Sequence, residues 1–281
     1  MLYQLSYVRL FSLGVSAPGN DENISGTGRA RKIRGLARVG WEAFPMQTTA
    51  DGGVFTTVKV VDGRPEHLGL HLARLAESAR IVGLDSPTPS AVRRVVTAAL
   101  GDAPLPLGRL RITWQGSEAA ARVEPLVPHA PTTTVVRAPD ARDPGDPAAG
   151  AKTEALGAQG RALVAWAKEQ GAGDAVLAAT DGRLCEGATS NVFYVVGGEL
   201  RTPTVRTGLL AGIARQLVLA ATDAREVDAP YEVLLEADEV FLTSSLRGVQ
   251  PVTAVDGREI GGPGRVTQAA AGALASLPTD D

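Results

Sequence analysis

The chain has 281 residues, of which 44% are hydrophobic and 21% charged, and its formal net charge is −3. This is the composition of a soluble globular protein long enough for one large domain or two smaller ones, and its near-balanced charge argues against nucleic acid or a membrane as partner. We therefore expect a small-molecule partner. The single cysteine, Cys185, excludes an internal disulfide and fits a reducing cytoplasm.

The first 40 residues lack the pattern of a folded domain. The apolar stretch LYQLSYVRLFSLGVSA ends in small residues, as a secretory segment does, but Arg9 interrupts it and no basic region precedes it. Polar, glycine-rich and then basic residues come next. We predict that residues 1–40 form a flexible N-terminal extension and that the protein is cytoplasmic.

Residues 41–127 are predicted to form a small α/β domain. The alternation in GVFTTVKVV predicts a strand that enters a hairpin at the Asp62-Gly63 turn. Apolar residues at three- and four-residue spacing in HLGLHLARLAESARIVGL predict a helix, with His71 and Arg74 on a neighbouring face. A second helix capped by Ser90 and the strand GRLRITWQG complete this domain.

Residues 128–150, rich in proline, are predicted to connect this unit to a larger domain over residues 151–281. That domain is predicted to begin with a helix after Lys152 and to contain short strands around the Asp181-Gly182 and Gly197-Gly198 turns. A helix in LLAGIARQLVLAAT, a strand that ends in TSS and a C-terminal helix complete it. No apolar run is long enough to span a bilayer.

Several simple sites are weakly indicated. His67 and His71 are four residues apart, as metal ligands on a helix can be, but neither they nor His129 have an acidic partner at a zinc-site spacing, so no metal is predicted. Isolated glycine pairs lack the spacing of a dinucleotide or phosphate loop. Ser244 and Ser245 lack the flanking glycines of a nucleophile elbow. Lys152 by itself would be a solvated charge.

Five segments together change that interpretation: AAGAKT, DGRLCEGATSNVFYV, LRTP, GLLAGIARQLV and EADEVFLTSSLRGVQPVTAVDG. They resemble the class IV aminotransferases, which are pyridoxal-phosphate (PLP) enzymes of fold type IV and include aminodeoxychorismate lyases. The resemblance runs from about Asp51 to Pro263. It implies an α/β (α+β) fold of two α/β domains with the active site between them, and a homodimer that acts on a small amino substrate.

The resemblance also implies roles for individual residues. Lys152 would form a Schiff base with the cofactor aldehyde and then move a proton on the substrate. Glu186 would hydrogen-bond the pyridine nitrogen, which lets the ring accept electrons. Arg74 would bind the cofactor phosphate. Further phosphate contacts are implied for a helix N-terminus and a strand end: Gly212, Ile213, Ala214, Ser244 and Ser245.

Within the family, the Thr56-Thr57 pair looks like aminodeoxychorismate lyase rather than an aminotransferase. That enzyme releases pyruvate from 4-amino-4-deoxychorismate and leaves 4-aminobenzoate, a folate precursor. Lys152 would remove the proton next to the amine, the enolpyruvyl side chain would leave, and the ring would become aromatic. Phe55, Thr57 and Arg111 are candidates for the substrate pocket.

Three departures from the family pattern keep alternatives open. Leu156 and Gly157 stand where a tyrosine is usual, the loop before Lys152 lacks the usual Asn/Arg-type residues, and the strand RITWQG lacks a terminal arginine. The alternatives are a branched-chain or D-amino acid aminotransferase and a diverged homologue with a specialised reaction in secondary metabolism, either with PLP or without it. A non-catalytic dimeric scaffold that retains the pocket is a fourth interpretation.

Overall fold

The computed structural model describes residues 52–101 and 105–279, so the predicted extension over residues 1–40 lies outside them. The described elements begin with β1 (Val54–Val61), β2 (Arg64–Pro65), α1 (Leu68–Ile81), α2 (Pro89–Leu100), β3 (Leu107–Gln115), β4 (Glu118–Pro125) and β5 (Thr133–Arg142). They continue with α3 (Glu154–Glu169), β6 (Asp174–Ala179), β7 (Leu184–Gly187), β8 (Asn191–Val196), β9 (Glu199–Thr202), a 3-10 turn (Val205–Thr207) and α4 (Ile213–Ala221). The last elements are β10 (Arg225–Glu226), α5 (Val233–Glu236), β11 (Glu239–Ser244), β12 (Gly248–Val255), β13 (Arg258–Glu259) and α6 (Arg265–Ala275).

The first sheet has the order β2-β1-β3-β4 and is antiparallel throughout. Because side chains alternate along a strand, Val54, Thr56 and Val58 share one fully buried face of β1. The valines pack there in a core with apolar residues of α1 and α2. Phe55 and Thr57 therefore project from the opposite face, which is the face available to a ligand.

The sequence predicts a tight turn and a helix cap in this region, and only the turn is confirmed. The predicted turn is present, with φ of 48° at Asp62 and 78° at Gly63, the left-handed pair that a tight hairpin requires. The predicted Ser90 cap is wrong. Helix α2 begins at Pro89 with Thr88 in the N-cap position and no side-chain cap, because proline has no amide hydrogen to satisfy and its fixed φ suits the first helical residue.

The strand β4 is not predicted from the sequence, because its alanines carry little strand propensity. It nevertheless pairs with β3 along its full length, from Gly108 opposite Pro125 to Gln115 opposite Glu118. Alternate side chains of β4 pack against the core beneath α2. Tertiary pairing therefore overrides local preference here.

The second sheet has the order β10-β9-β8-β11-β12-β5-β6-β7, with β13 added at β12. Strand β5 pairs in parallel with both β12 and β6, whereas β8, β11 and β12 form an antiparallel series. Three apolar clusters pack against this sheet, and one of them contains the stacked rings of Phe193 and Phe241. The predicted α/β class is confirmed, and the division into domains near residue 127 stays a prediction.

Candidate active site

Lys152 lies where the chain leaves the loop after β5 and enters α3. Its carbonyl accepts a hydrogen bond from the Phe55 amide of β1 at 2.9 Å, and its own amide donates to Ser78 Oγ of α1 at 3.1 Å. Thr153 caps α3 by accepting a hydrogen bond from the Leu156 amide at 3.1 Å. The backbone of the lysine is thus fixed by two elements of the first sheet region and by its own helix.

The surroundings of the Lys152 amine favour its neutral form. Burial and, after it, the charge of Arg74 lower the pKa of Lys152 to about 7, while Glu186 acts in the opposite direction. A large fraction of the amine is therefore unprotonated at neutral pH. An unprotonated lysine amine can attack a carbonyl carbon and can accept a proton, which are the two tasks that the sequence predicts for it.

Glu186 lies on β7 and is 5% exposed. Its Oε1 accepts a hydrogen bond from Arg142 Nε at 3.1 Å and forms an ion pair with Arg142 Nη2 at 3.0 Å, and its Oε2 accepts from the Leu210 amide at 3.0 Å. Burial raises the pKa of Glu186, while Arg142 and the Leu210 amide act to lower it. The guanidinium charge and these hydrogen bonds oppose the rise in the pKa of Glu186 that burial causes. A carboxylate has about four acceptor positions, so it can still accept from a further donor such as a protonated pyridine nitrogen.

Arg142 is a site residue to which the sequence assigns no role. At the end of β5 it donates to Glu186, and its Nη1 donates to Gln159 Oε1 of α3 at 3.1 Å. Arg142 and Glu186 are 11% and 7% exposed in their side chains. A buried pair of this kind requires both partners, because either charge alone would be costly.

Arg74 is 7% exposed and donates from Nη2 to Thr56 Oγ1 at 2.8 Å. The same Thr56 oxygen lies 2.7 Å from His71 Nδ1, and His71 Nε2 lies 3.3 Å from Ser245 Oγ. The predicted phosphate-binding arginine and one predicted serine are thereby joined through two side chains that the sequence does not assign to the cofactor. His71 is a site residue that sequence reasoning treats only as a weak metal ligand.

Four of the five remaining predicted phosphate contacts line one cleft. Ser244 ends β11 and Ser245 is the next residue, while α4 begins at Ile213 with Gly212 as its N-cap and without a side-chain cap. The cleft is about 280 Å³ in volume, and its walls include His71, Ile213, Ala214, Ser244 and Ser245. Hydroxyl groups and first-turn amides at a helix N-terminus are suitable donors for a phosphate.

Glycine is needed at position 212 because Asn191 lies too close for a side chain there, at the N-cap of α4. A Cβ at this position would lie 2.2 Å from Asn191 Oδ1, so no other residue fits without a shift. Asn191 in turn donates from Nδ2 to the Leu210 carbonyl at 2.8 Å. The Ser-Asn pair that carries part of the resemblance therefore shapes the loop between Glu186 and the helix N-terminus.

The described residues fit PLP by the chemistry of their donors. Lys152 offers an amine of lowered pKa for an aldehyde, Glu186 offers a buried carboxylate for a pyridine nitrogen, and the cleft at α4 offers hydroxyls and amides for a phosphate. No group of three or more His, Cys, Asp or Glu side chains within residues 52–101 and 105–279 is placed to hold a metal ion.

The predicted substrate-pocket residues lie on the other face of the first sheet. Thr57 pairs with Arg111 across β1 and β3, and Phe55 is two residues away on the same face. The Arg111 guanidinium carbon is 3.7 Å from the centre of the Phe55 ring, and Lys152 Nζ is 4.8 Å from that centre. Arg111 also forms an ion pair with Glu154, at 2.5 Å between Nη2 and Oε2. Glu154, two residues after Lys152, is not predicted from the sequence.

Gly157 explains how Phe55 can occupy this place. A Cβ at Gly157 would lie 2.7 Å from Cε1 of the Phe55 ring, so the bare backbone of α3 makes room for the ring. Gly157 and Leu156 are the positions where a tyrosine is usual in the family. In this chain an aromatic ring from β1 packs against the helix at that point instead.

Comparison with known proteins bears on most of the described region. A family model described as amino-transferase class IV matches residues 53–255. A bifunctional aminodeoxychorismate lyase / D-amino acid transaminase of Mycobacterium tuberculosis is 30% identical over 243 residues, which cover 74% of this chain and 83% of that protein. A fold IV-transaminase of Curtobacterium pusillum superposes with a TM-score of 0.70 at 28% identity, covering 83% of this chain and 88% of its own.

One further match is local. A probable branched-chain-amino-acid aminotransferase of Thermotoga maritima is 42% identical over 84 residues, which are 28% of this chain and 31% of that protein. This match therefore spans less than a third of that relative.

Proposed function

Because this chain belongs to the class IV aminotransferase family, and is accordingly an enzyme that uses PLP, we propose that it is a lyase of the aminodeoxychorismate lyase type. In this proposal it releases pyruvate from 4-amino-4-deoxychorismate and leaves 4-aminobenzoate. Two aspects of the resemblance stated from the sequence, the family and its fold type, are confirmed by the comparisons.

The single observation that carries the lyase proposal is the Phe55–Arg111 pair beside Lys152. The Phe55 ring is 4% exposed and holds the Arg111 guanidinium at 3.7 Å, which suits a substrate that carries carboxylate groups. The amine of Lys152 lies 4.8 Å from the centre of the same ring. A substrate carboxylate at Arg111 would therefore lie on the same side of the site as the lysine.

In this proposal PLP and three side chains, those of Lys152, Glu186 and Arg111, have separate roles. PLP, when bound, supplies a carbonyl carbon for the substrate amine and a ring that accepts electrons. Lys152 Nζ, with a pKa of about 7, would take the proton from the carbon that bears the amine. Glu186, held by Arg142 and the Leu210 amide, would pair with the pyridine nitrogen. Arg111 orients a substrate carboxylate by hydrogen bonds.

A D-amino acid transaminase is the second candidate, because the Mycobacterium tuberculosis relative is named for both activities. The same lysine serves both reactions, since each begins with removal of a proton next to the amine. The two reactions differ in the next step. The lyase expels a side chain, whereas the transaminase returns the proton elsewhere and exchanges the amine with a keto acid.

The test compares both reactions in one preparation. The purified protein, supplied with PLP, is given 4-amino-4-deoxychorismate, and pyruvate is measured with lactate dehydrogenase and NADH while 4-aminobenzoate is measured by fluorescence. A parallel assay measures D-glutamate formed from D-alanine and α-ketoglutarate. Equal amounts of pyruvate and 4-aminobenzoate, absent in Lys152→Ala, support the lyase. D-Glutamate without 4-aminobenzoate would replace the lyase by the transaminase, and neither product would favour a diverged reaction.

We also propose that the protein is a cytoplasmic homodimer, as the family resemblance implies. Among the described residues no helix is both long and apolar enough to cross a membrane. Light scattering coupled to size-exclusion chromatography measures the mass directly, and a mass near one 29.1 kDa chain would contradict the dimer.

A further inference from the structure

A chain of hydrogen-bonding side chains connects the first sheet to the predicted phosphate end of the site. Arg74 Nη2 lies 2.8 Å from Thr56 Oγ1, Thr56 Oγ1 lies 2.7 Å from His71 Nδ1, and His71 Nε2 lies 3.3 Å from Ser245 Oγ. Thr56 and His71 are 0% and 1% exposed. Water therefore does not compete for the contacts of Thr56 with Arg74 and His71, and the protons there must be distributed among the side chains themselves.

The proton positions can be deduced by counting donors and acceptors. Arg74 is always a donor, so one lone pair of Thr56 Oγ1 accepts from it. If His71 Nδ1 also donated to Thr56, the Thr56 hydroxyl proton would be left without an acceptor in a fully buried site, which costs about 1–3 kcal/mol. The arrangement that satisfies every group has Thr56 donating to Nδ1, and a neutral ring then carries its proton on Nε2.

The position of the His71 proton determines how the Ser245 hydroxyl is oriented. An Nε2 proton is donated to Ser245 Oγ, and the hydroxyl proton of Ser245 is then free to point toward another acceptor. The reverse tautomer would receive that hydroxyl proton at Nε2 and would turn the oxygen lone pairs of Ser245 toward the cleft. Ser245 lines the same cleft as the first-turn residues of α4. With the His71 proton on Nε2, the Ser245 hydroxyl can donate to an anion in that cleft. With the proton on Nδ1, the Ser245 oxygen offers the cleft only acceptor lone pairs.

We propose that His71 is a positioning residue for the cofactor phosphate: as a neutral ring protonated on Nε2, it holds the Ser245 hydroxyl as a hydrogen-bond donor toward that phosphate. The proposal rests on the predicted phosphate contact of Ser245 and is independent of whether the enzyme is a lyase or a transaminase.

The charges around His71 are consistent with a neutral ring. Burial is the main cause that holds the pKa of His71 well below its ordinary value, and Arg74, His67 and Lys152 add to it. A second positive charge beside Arg74 is thereby avoided. The ring is small, rigid and able to accept at one nitrogen while it donates at the other, and these properties together are unique to histidine.

The first experiment compares two ligands that differ only in the phosphate. Dissociation constants of PLP and of pyridoxal, which lacks the phosphate, are measured by absorbance titration of the apo form of the full chain. For His71→Leu we expect PLP to bind about tenfold more weakly, the loss of one hydrogen bond to a charged group, with pyridoxal binding unchanged. His71→Gln, which keeps a donor near the Nε2 position, should recover part of the loss. The matched control His129→Leu changes an exposed histidine and should bind both ligands normally.

A double-mutant cycle separates positioning from packing. Ser245→Ala should weaken PLP to a similar extent, and His71→Leu combined with Ser245→Ala should weaken it little further, because both changes remove the same donor. Equal losses of PLP and pyridoxal affinity in His71→Leu, or independent losses that multiply in the double variant, would overturn the proposal.

A second measurement does not depend on any variant folding. Long-range proton–nitrogen correlation spectra of the PLP-loaded wild type distinguish the two histidine tautomers from the charged ring, and the chain contains only three histidines to assign. We expect a neutral His71 with its proton on Nε2. A proton on Nδ1, or on both nitrogens, contradicts the proposal directly.

Discussion

Two arginine–glutamate pairs flank Lys152 and show how the two sides of the site differ. On the cofactor side, Arg142 and Glu186 are 11% and 7% exposed in their side chains. On the substrate side, Arg111 and Glu154 are 21% and 31% exposed. The buried carboxylate of Glu186 accepts hydrogen bonds from Arg142 Nε and from the Leu210 amide and forms an ion pair with Arg142 Nη2. The more exposed pair has a contact at 2.5 Å and shares its surroundings with water.

This difference is explained by the cost of removing charge from water. A buried carboxylate must be fully partnered, so the cofactor side draws on several elements that are distant in sequence, and each partner is needed by the others. An ion pair that is partly exposed is screened by water and contributes little to stability, about 0–1 kcal/mol, so its residues can vary with the substrate. We therefore expect the cofactor side to be rigid and intolerant of change, and the substrate side to be the place where specificity is set.

The largest effect is expected at the residue that both sides share. Lys152→Ala removes the amine that lies between them, and the rate of product formation should fall about 10²–10⁴-fold or more, since covalent attachment and proton transfer are both lost. The steady-state rate with 4-amino-4-deoxychorismate is the measurement. The control is Lys168→Ala, an exposed lysine of α3, which should keep full activity. Activity retained in Lys152→Ala would remove this residue from the chemistry.

The two ion pairs can be compared by deleting the carboxylate of each. Glu186→Ala leaves the Arg142 charge buried without its partner and should lower the free energy of unfolding by about 3–5 kcal/mol. Glu154→Ala should lower it by no more than about 1 kcal/mol, because Arg111 regains water. Urea denaturation of both variants gives the two values. Equal losses would contradict the contrast between the two sides.

The packing of Phe55 against α3 can be tested by adding one methyl group. Gly157→Ala would place a Cβ 2.7 Å from the ring, and we expect a loss of about 1–2 kcal/mol in unfolding free energy together with a lower kcat/KM. Gly272→Ala is the matched control, because its Cβ meets nothing within 4 Å in α6, and it should gain up to about 1 kcal/mol from helix propensity. A gain in both variants would show that Phe55 yields without cost.

The ionisation of Lys152 predicts how the reaction depends on pH. With a pKa of about 7, the amine is protonated below that value, so the rate of PLP capture by the apo protein should fall about tenfold for each pH unit below 7 and level off above about 8. Stopped-flow absorbance measures this rate. An inflection near the ordinary lysine value of 10.5 would mean that burial does not act on this amine.

The smallest effect is expected from neutralising the more exposed pair. Glu154→Gln frees Arg111 for a substrate carboxylate, and the KM for a carboxylated substrate should fall about threefold, the size expected for a half-exposed ion pair. Glu77→Gln, which removes a comparable partner of Arg80 on α1, is the control and should leave KM unchanged. A higher KM in Glu154→Gln would assign Glu154 a direct role in binding the substrate.

Much of the local structure could be predicted from the sequence. The Asp62-Gly63 turn and the amphipathic helix with His71 and Arg74 on one face are present, because both depend on residue types a few positions apart. The Ser90 cap is wrong and β4 is missed, because Pro89 and the pairing with β3 decide those positions. Local patterns are least informative where a neighbouring residue or strand has the stronger preference.

The sequence by itself determined the family and predicted Lys152, Glu186 and Arg74 as site residues, since their spacing and neighbouring motifs are readable in order along the chain. Only the tertiary structure decided which groups complete them. Arg142 meets Glu186 across 44 residues of sequence and His71 meets Ser245 across 174, and Glu154 reaches Arg111 from a different element. Such contacts arise where strands of the two sheets meet residues of α1 and α3. Local sequence patterns do not predict them, because a buried charge or polar hydrogen needs a partner that is close in space, wherever that partner lies in the sequence.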